Sequence, residues 1–413
     1  MAQVLDIAIR DARLRQRDKP VEVGVKDGRI AAISDHLEDK ALIEIDARGN
    51  LVTESYVNPH LHLCKVFTLP IMEEEALKAY QGVGEAMGTA MAGIELAAKI
   101  KEKYAEDWIV ANARRALALA ALNGNLHIRA FADVDGKARL EGVKALLRLR
   151  EEFRGVVDIQ VVAFAQDGIV REPGAATLMT EAMALGADVV GGIPWIEFTD
   201  ADAAAHVRLC FDLAHKFDKD VSMLLDDAGD PGLRTLEMMA VEALKRGWQG
   251  RALAHHCRAM SLYPIPYVQR LARILRSARI GIVTDPHTGP LHARVKELLA
   301  EGVLVCLGQD DISDAYYPFG HNAMLEVAFL ASHLLWMMTR QEIERLYDMI
   351  TVDAAAAINI IGFGLAEGAA ANLVVLDQPN VVDALRFHNP PAQVISNGRV
   401  VDQRQMRALA AAT

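Results

Sequence analysis

Cysteine is scarce in this chain. Four residues in 413, Cys64, Cys210, Cys257 and Cys306, are too few for a disulfide framework. Positive charge is thin as well. Lys and Arg number 44 against 55 Asp and Glu, the formal net charge is −11, and basic residues never run longer than two. Nucleic acid and anionic membrane are therefore poor partners. No uncharged apolar run reaches the roughly 18 residues of a membrane span. The opening "MAQVLDIAIRDARLRQRDK" carries Asp6 and Asp11 inside its apolar part, which does not suit a signal peptide. These absences lead to the expectation of a soluble protein of a reducing compartment, the cytoplasm.

What is present is apolar residue: 52% of the chain, enough for one large α/β barrel and a small accessory domain. The first 50 residues alternate like short strands ("VLDIAIRDARL", "VEVGVKDGRIAAI", "ALIEIDARGNLV"), with turn signals at Asp27-Gly28 and Gly49-Asn50. The end of the chain repeats the pattern in "ANLVVLD" and "AQVISNGRVVD", the latter with an Asn397-Gly398 hairpin signal. The spacing predicts one small β-sandwich domain from residues 1–54 plus 366–413. The Ala-rich tail "ALAAAT" reads as a frayed end.

Between these ends, short β-rich runs ("VDIQVVAFA", "ADVVGGIPW", "DVSMLL", "RALAHH", "IGIVTD", "GVLVCLG") alternate with helical segments such as "ARRALALAALNG" and "YVQRLARILRSA". That alternation predicts a (β/α)8 barrel over residues 55–365. Chemistry in such a barrel sits just past the C-terminal ends of the strands. In "VNPHLHLCK", His60 and His62 are spaced to share one face of a strand and form half of a metal site. "RALAHH" ends in His255 and His256, "GVLVCLGQDD" in Gln309, Asp310 and Asp311, and "VVAFAQ" in Gln166. Each alone reads as a loop polar residue or a helix cap. Gathered at the ends of several strands, they point to a site.

The same segments resemble the amidohydrolase superfamily, in its cytosine deaminase and N-isopropylammelide isopropylaminohydrolase branch. The resemblance runs nearly end to end through "NPHLHL", "VVAFAQDGI", "ADVVGGIPWIEFT", "LAHHCRAM", "CLGQDDISDAYYPFG" and "ANLVVLD…NGRVV". It implies a metal-dependent hydrolase acting on a C–N bond of a cyclic amidine or amide. His60 and His62 match paired ligands of one divalent metal, Zn or Fe. Asp310 matches a ligand that also takes a proton from the attacking water. His256 matches the residue that orients hydroxide and substrate, and Gln166 the residue that reads the amide edge of the ring. By analogy with the family, a homo-oligomer is expected and the partner is a small heterocycle.

The departures are informative. The family's third histidine ligand falls, by spacing, at Leu224 in "DKDVSMLLDDAGD", and its acid/base glutamate at Asp227. The aspartate of its H-x-H-x-D-K stretch is Cys64, with Lys65 kept. Two further family histidines are Phe131 and Gln309. Three readings compete. The metal persists on His60, His62 and Asp310, with His256 as a candidate further ligand, while Leu224 opens an apolar pocket. Alternatively Cys64 joins as a soft ligand favouring Zn; its register four residues after His60 would place it on the same strand face. In the third, hydrolysis is lost and the barrel binds a ligand or performs other chemistry. The first is favoured, because His60, His62, His256, Asp310, Asp227 and Gln166 are all retained together. The change of two histidines to Leu224 and Phe131 then points to a substrate more apolar than cytosine. Leu224, Phe131, Trp195, Gln166 and Tyr316 are its candidate contacts. Tyr316, Tyr317 and Phe319 are together a candidate lid.

Overall fold

The computed structural model describes residues 4–72, 94–95 and 97–412. Its short apolar runs become parallel strands because their β-branched residues are covered on both faces. In chain order the strands are β1 (Leu5–Ala12), β2 (Val21–Lys26), β3 (Arg29–Ser34), β4 (Ala41–Asp46), β5 (Val52–Glu54), β6 (Tyr56–Leu61), β7 (Asn125–Asp133) and β8 (Asp158–Phe164). They continue with β9 (Val189–Gly192), β10 (Asp220–Leu225), β11 (Ala252–His256), β12 (Gly281–Thr284), β13 (Val305–Leu307), β14 (Leu373–Val375), β15 (Gln393–Ser396) and β16 (Arg399–Val400).

Strands β6 to β13 pair in sequence order, all parallel. The ring closes where Asp310, just past β13, meets the end of β6. Asp310 N–H donates to the His60 carbonyl and His62 N–H to the Asp310 carbonyl, each at 2.9 Å. This is a (β/α)8 barrel, and its last seam is sewn by candidate site residues. Helices Glu106–Leu122, Glu141–Glu152, Ala175–Leu185, Asp200–Phe217, Thr235–Arg246 and Ile265–Ala278 cover the outside. Met223 and Leu225 of β10 pack outward with these helices, while Leu224 between them faces the interior. Strand alternation decides this.

The flanking segments build two four-stranded sheets, β3-β2-β1-β4 and β16-β15-β14-β5. Ile7, Ile9, Val23 and Val25 of the first share a buried core with Val52, Leu373, Val375 and Ile395 of the second. Both hairpin signals form turns: Asp27 and Gly28 take φ of 49° and 77°, Asn397 and Gly398 48° and 74°. A Cβ on Gly398 would come within 2.6 Å of Gly28 Cα, so the touching hairpin tips require glycine.

The tail is not frayed. Residues Gln403–Ala411 form a helix capped by Asp402 that lies on helix Glu106–Leu122, with Met406 buried. Its apolar residues recur at helical spacing, a face that composition alone conceals. Among the described residues, no helix is long and apolar enough to cross a membrane.

Candidate active site

Three strand-end residues, Asp226, His256 and Asp310, adopt left-handed φ of 48°, 65° and 67°. Such values are uncommon without glycine and bend the chain sharply where each strand ends. The bends at His256 and Asp310 aim their side chains at β6. His60 sits beside Gly308, where a Cβ would approach its own Cβ to 2.8 Å. The small residue lets the two strand ends close up.

Four side chains converge. The ligand atoms of His60, His62, His256 and Asp310 all lie within 4.8 Å of one another, and all four residues are buried. From Asp310 Oδ1 the distances are 2.9 Å to His60 Nε2, 3.7 Å to His62 Nε2 and 3.9 Å to His256 Nε2. Tetrahedral coordination at zinc–ligand distances needs separations of about 3.4 Å. The set therefore fits one divalent ion, and imidazole with carboxylate suits Zn or Fe. His60 and His62 leave Nδ1 without a hydrogen-bond partner among the described residues. His256 instead pairs Nδ1 with Asp285 Oδ1 at 2.8 Å, the outer contact that orients a ligating imidazole.

Burial lowers the pKa of His60, and more strongly those of His62 and His255, leaving neutral imidazoles with lone pairs to offer. His256 differs. Burial opposes its charge, but Asp227, Asp285 and Asp310 outweigh it and hold its pKa up at about 9. Burial raises Asp227, against the pull of Arg258 and His256. Asp285 also suffers burial, yet Arg258 and His256 keep it well below the carboxylate range.

His62, Asp227, His256 and Asp310 border a cavity also lined by Lys65, Gln166, Leu224, Arg258, Asp311, Ile94, Ile193, Trp195 and Tyr316. Leu224 lines the same cavity as His62 and Asp310. It packs with Phe131, Phe164, Val162 and Ile193. Phe131, expected to contact the substrate, does not line the cavity; its ring lies 4.5 Å from that of His60 and 5.4 Å from that of His62. Gln166 accepts at Oε1 from Lys65 Nζ (2.9 Å), which leaves its amide N–H for a ligand. The loop after Gln166 is held by Glu197, which accepts from the N–H groups of Ile169, Val170 and Arg171 and pairs with buried His206. Of the three aromatics after Asp310, only Tyr316 borders the cavity. Tyr317 packs against His287, and Phe319 is 67% exposed.

Cys64 does not join the ligand cluster. Strand β6 ends at Leu61, so alternation from His60 no longer governs it. Its Sγ lies 3.9 Å from Tyr104 Oη and accepts from Asp133 N–H at 3.4 Å. Burial and Asp133 push the thiol up to about 12, far from the thiolate a metal needs. Asp226 also turns away from the interior. Its left-handed bend breaks the alternation, and it caps helix Thr235–Arg246 through Thr235 while accepting from Tyr263 Oη.

Sequence reading missed Arg258, Asp285 and Thr288. Asp285 directly follows "IGIVT", so the rule that chemistry follows strand ends would have found it. Arg258 donates to Asp227 and to Asp285, and only 2% of it is exposed. A charged residue two positions after His256 carries no signal that it turns inward.

A protein-family model described as the amidohydrolase family matches residues 44–402. An N-isopropylammelide isopropyl amidohydrolase from Pseudomonas sp. strain ADP is 28% identical over 97% of this chain and 98% of its own. A 5-methylcytosine deaminase from Klebsiella pneumoniae, solved with 5-fluorocytosine bound, superposes with a TM-score of 0.87 at 31% identity, over 95% of this chain and 97% of that one. An N-isopropylammelide isopropylaminohydrolase from Burkholderia multivorans superposes with a TM-score of 0.85 at 24% identity, over 96% and 97%.

Proposed function

The chain belongs to the amidohydrolase family, and from that premise we propose that it is a metal-dependent hydrolase cleaving a C–N bond of a small heterocycle with an apolar flank. The observation that carries this is the convergence of His60, His62, His256 and Asp310 at a cavity that Asp227 also lines. In this reading those four residues hold one Zn or Fe ion. When bound, such an ion supplies Lewis acidity toward water and toward the attacked carbon.

The chain's own groups do the rest. Asp310 accepts the proton of the attacking water. Asp227 passes a proton to the leaving nitrogen; its Oδ2 lies 3.9 Å from His256 Nε2, and burial gives it a raised pKa suited to carrying one. His256, fixed by Asp285, orients water and substrate. The Gln166 amide N–H meets a ring acceptor, with Lys65 holding the amide in place. Leu224, Ile193, Trp195 and Tyr316 form the apolar wall and exclude water from the other face of the ring. Residues 1–54 and 366–413 act as a supporting domain beside the catalytic barrel of 55–365. A second reading, a binding protein without hydrolysis, draws on Leu224, which offers no ligand atom where the family places a histidine.

Elemental analysis of purified protein separates the two. The hydrolase reading expects about one divalent ion per chain. It also expects turnover of some member of a panel of amino- and alkylamino-substituted pyrimidines and triazines, with both lost in His60→Ala. Protein that neither carries nor takes up Zn²⁺ or Fe²⁺ and turns over nothing supports the binding reading.

A further inference from the structure

The three carboxylates of the site each divide their two oxygens between two centres. Asp310 turns Oδ1 toward His60, His62 and His256, while Oδ2 lies 3.5 Å from Arg258 Nη2 and accepts from Thr288 Oγ1 at 3.0 Å. Asp285 gives Oδ1 to His256 Nδ1 and Oδ2 to Arg258. Asp227 places Oδ2 at 3.9 Å from His256 Nε2 and accepts from Arg258 Nη1 at Oδ1. Thr288 Oγ1 also lies within hydrogen-bond distance of Arg258 Nη2. One buried guanidinium is thus surrounded by four oxygens, three of them shared through carboxylates with the histidine centre.

Asp310, with one oxygen among the ligand atoms and the other beside the guanidinium, stands as a bridging carboxylate does in a two-metal site, and the all-oxygen surround completed by Asp227, Asp285 and Thr288 suits a hard divalent cation. Here the second centre is already filled by a fixed charge. The backbone explains how Arg258 gets there. His256 and Cys257 both take left-handed φ, 65° and 55°, turning the chain back so that Arg258 opens a short helical turn, Arg258–Leu262, facing the barrel mouth.

We propose that Arg258 is the protein-supplied second cation of this site. It stands where a second divalent ion would otherwise be held by Asp227, Asp285 and Asp310, and it limits the chain to one metal. This rests on the metal-site reading for the first centre, but the oxygen cluster around Arg258 can be tested separately.

The experiment strips native protein, Arg258→Lys and Arg258→Gln with chelator, reloads each with Mn²⁺, and measures Mn²⁺ per chain with the electron paramagnetic resonance spectrum. Native protein and Arg258→Lys, which keeps the charge, should bind about one ion. Arg258→Gln should bind about two, with the spin-coupled spectrum of a carboxylate-bridged pair. If Arg258→Gln fails to fold in chelator, its refolding is repeated with excess Mn²⁺; recovery supports the proposal and failure to recover overturns it. A folded Arg258→Gln that binds no more Mn²⁺ than native protein also overturns it, while leaving the hydrolase reading intact. Native protein that binds none would sink the hydrolase reading. In that case a single ion gained by Arg258→Gln would still support the proposal.

Discussion

Replacing Leu224 by histidine puts an imidazole in the barrel wall facing His62, His256 and Asp310. Leu224 now packs with Phe131, Val162, Phe164 and Ile193 and is 3% exposed. Without metal the change should be costly. Losing a buried leucine side chain removes about 2 kcal/mol of transfer free energy, and a buried imidazole without a partner adds about 1–3 kcal/mol. The stripped variant should therefore be less stable than stripped native protein by roughly 3–5 kcal/mol. Metal reverses part of this. One more coordinating imidazole should tighten binding about 10- to 100-fold, or about 1.4–2.7 kcal/mol. Two measurements check the balance. Competition with a chromophoric chelator reads the affinity, and thermal unfolding with and without chelator reads the stability. The variant's melting point should depend on metal more steeply than that of native protein. Equal affinities and the same melting deficit in both conditions would refute the reasoning, since the imidazole would then be turned away from the ligand cluster.

Cys64→Ser should leave the metal content per chain unchanged and cost about 1 kcal/mol in denaturant unfolding, because Sγ faces Tyr104 and Asp133 rather than the histidines; a tenfold loss of metal affinity would restore Cys64 as a ligand. Asp353 is raised to about 6, mainly by burial, although Arg345 opposes this. Its folded pKa lies above the unfolded value near 3.9, so the carboxyl costs nothing below about pH 4 and destabilises the fold increasingly as pH rises through 6. Asp353→Asn should therefore stabilise the protein by about 1–3 kcal/mol at pH 7.5 and by nothing at pH 3.5; urea unfolding at both pH values checks it, and a variant less stable at pH 7.5 would show that the ion pair with Arg345 outweighs burial.

Much of the fold was legible because local pattern and global architecture agree. Short β-rich runs between helical segments are what a parallel barrel requires, and period-two alternation placed Leu224 inside, between outward Met223 and Leu225. The Asp27-Gly28 and Asn397-Gly398 turns were legible for the same reason, since few residue pairs tolerate two consecutive positive φ values. Alternation stops being a guide where a strand stops. The alternative that set Cys64 beside His60 relied on a strand that ends at Leu61, and Asp226, one residue past the end of β10, likewise leaves the alternation. The tail helix escaped notice because its helical face is visible only once helix Glu106–Leu122 is there to receive it.

By itself the sequence determined the barrel, the histidine pair, the strand-end carboxylate and the substitution at Leu224. The barrel and the histidine pair are properties of short segments whose periodicity decides which way a side chain points, while the parts given to Asp310 and Leu224 came from the family resemblance. The tertiary structure alone decided which charges meet. Arg258 finds Asp227, Asp285, Thr288 and Asp310 at sequence separations of 27 to 52 residues from itself, across four strand ends that only barrel closure brings together. Buried charges must be paired wherever the chain folds them, but a sequence does not state which partner will be within reach. That depends on the closing bonds between Asp310 and β6 and on the left-handed bends at His256 and Cys257.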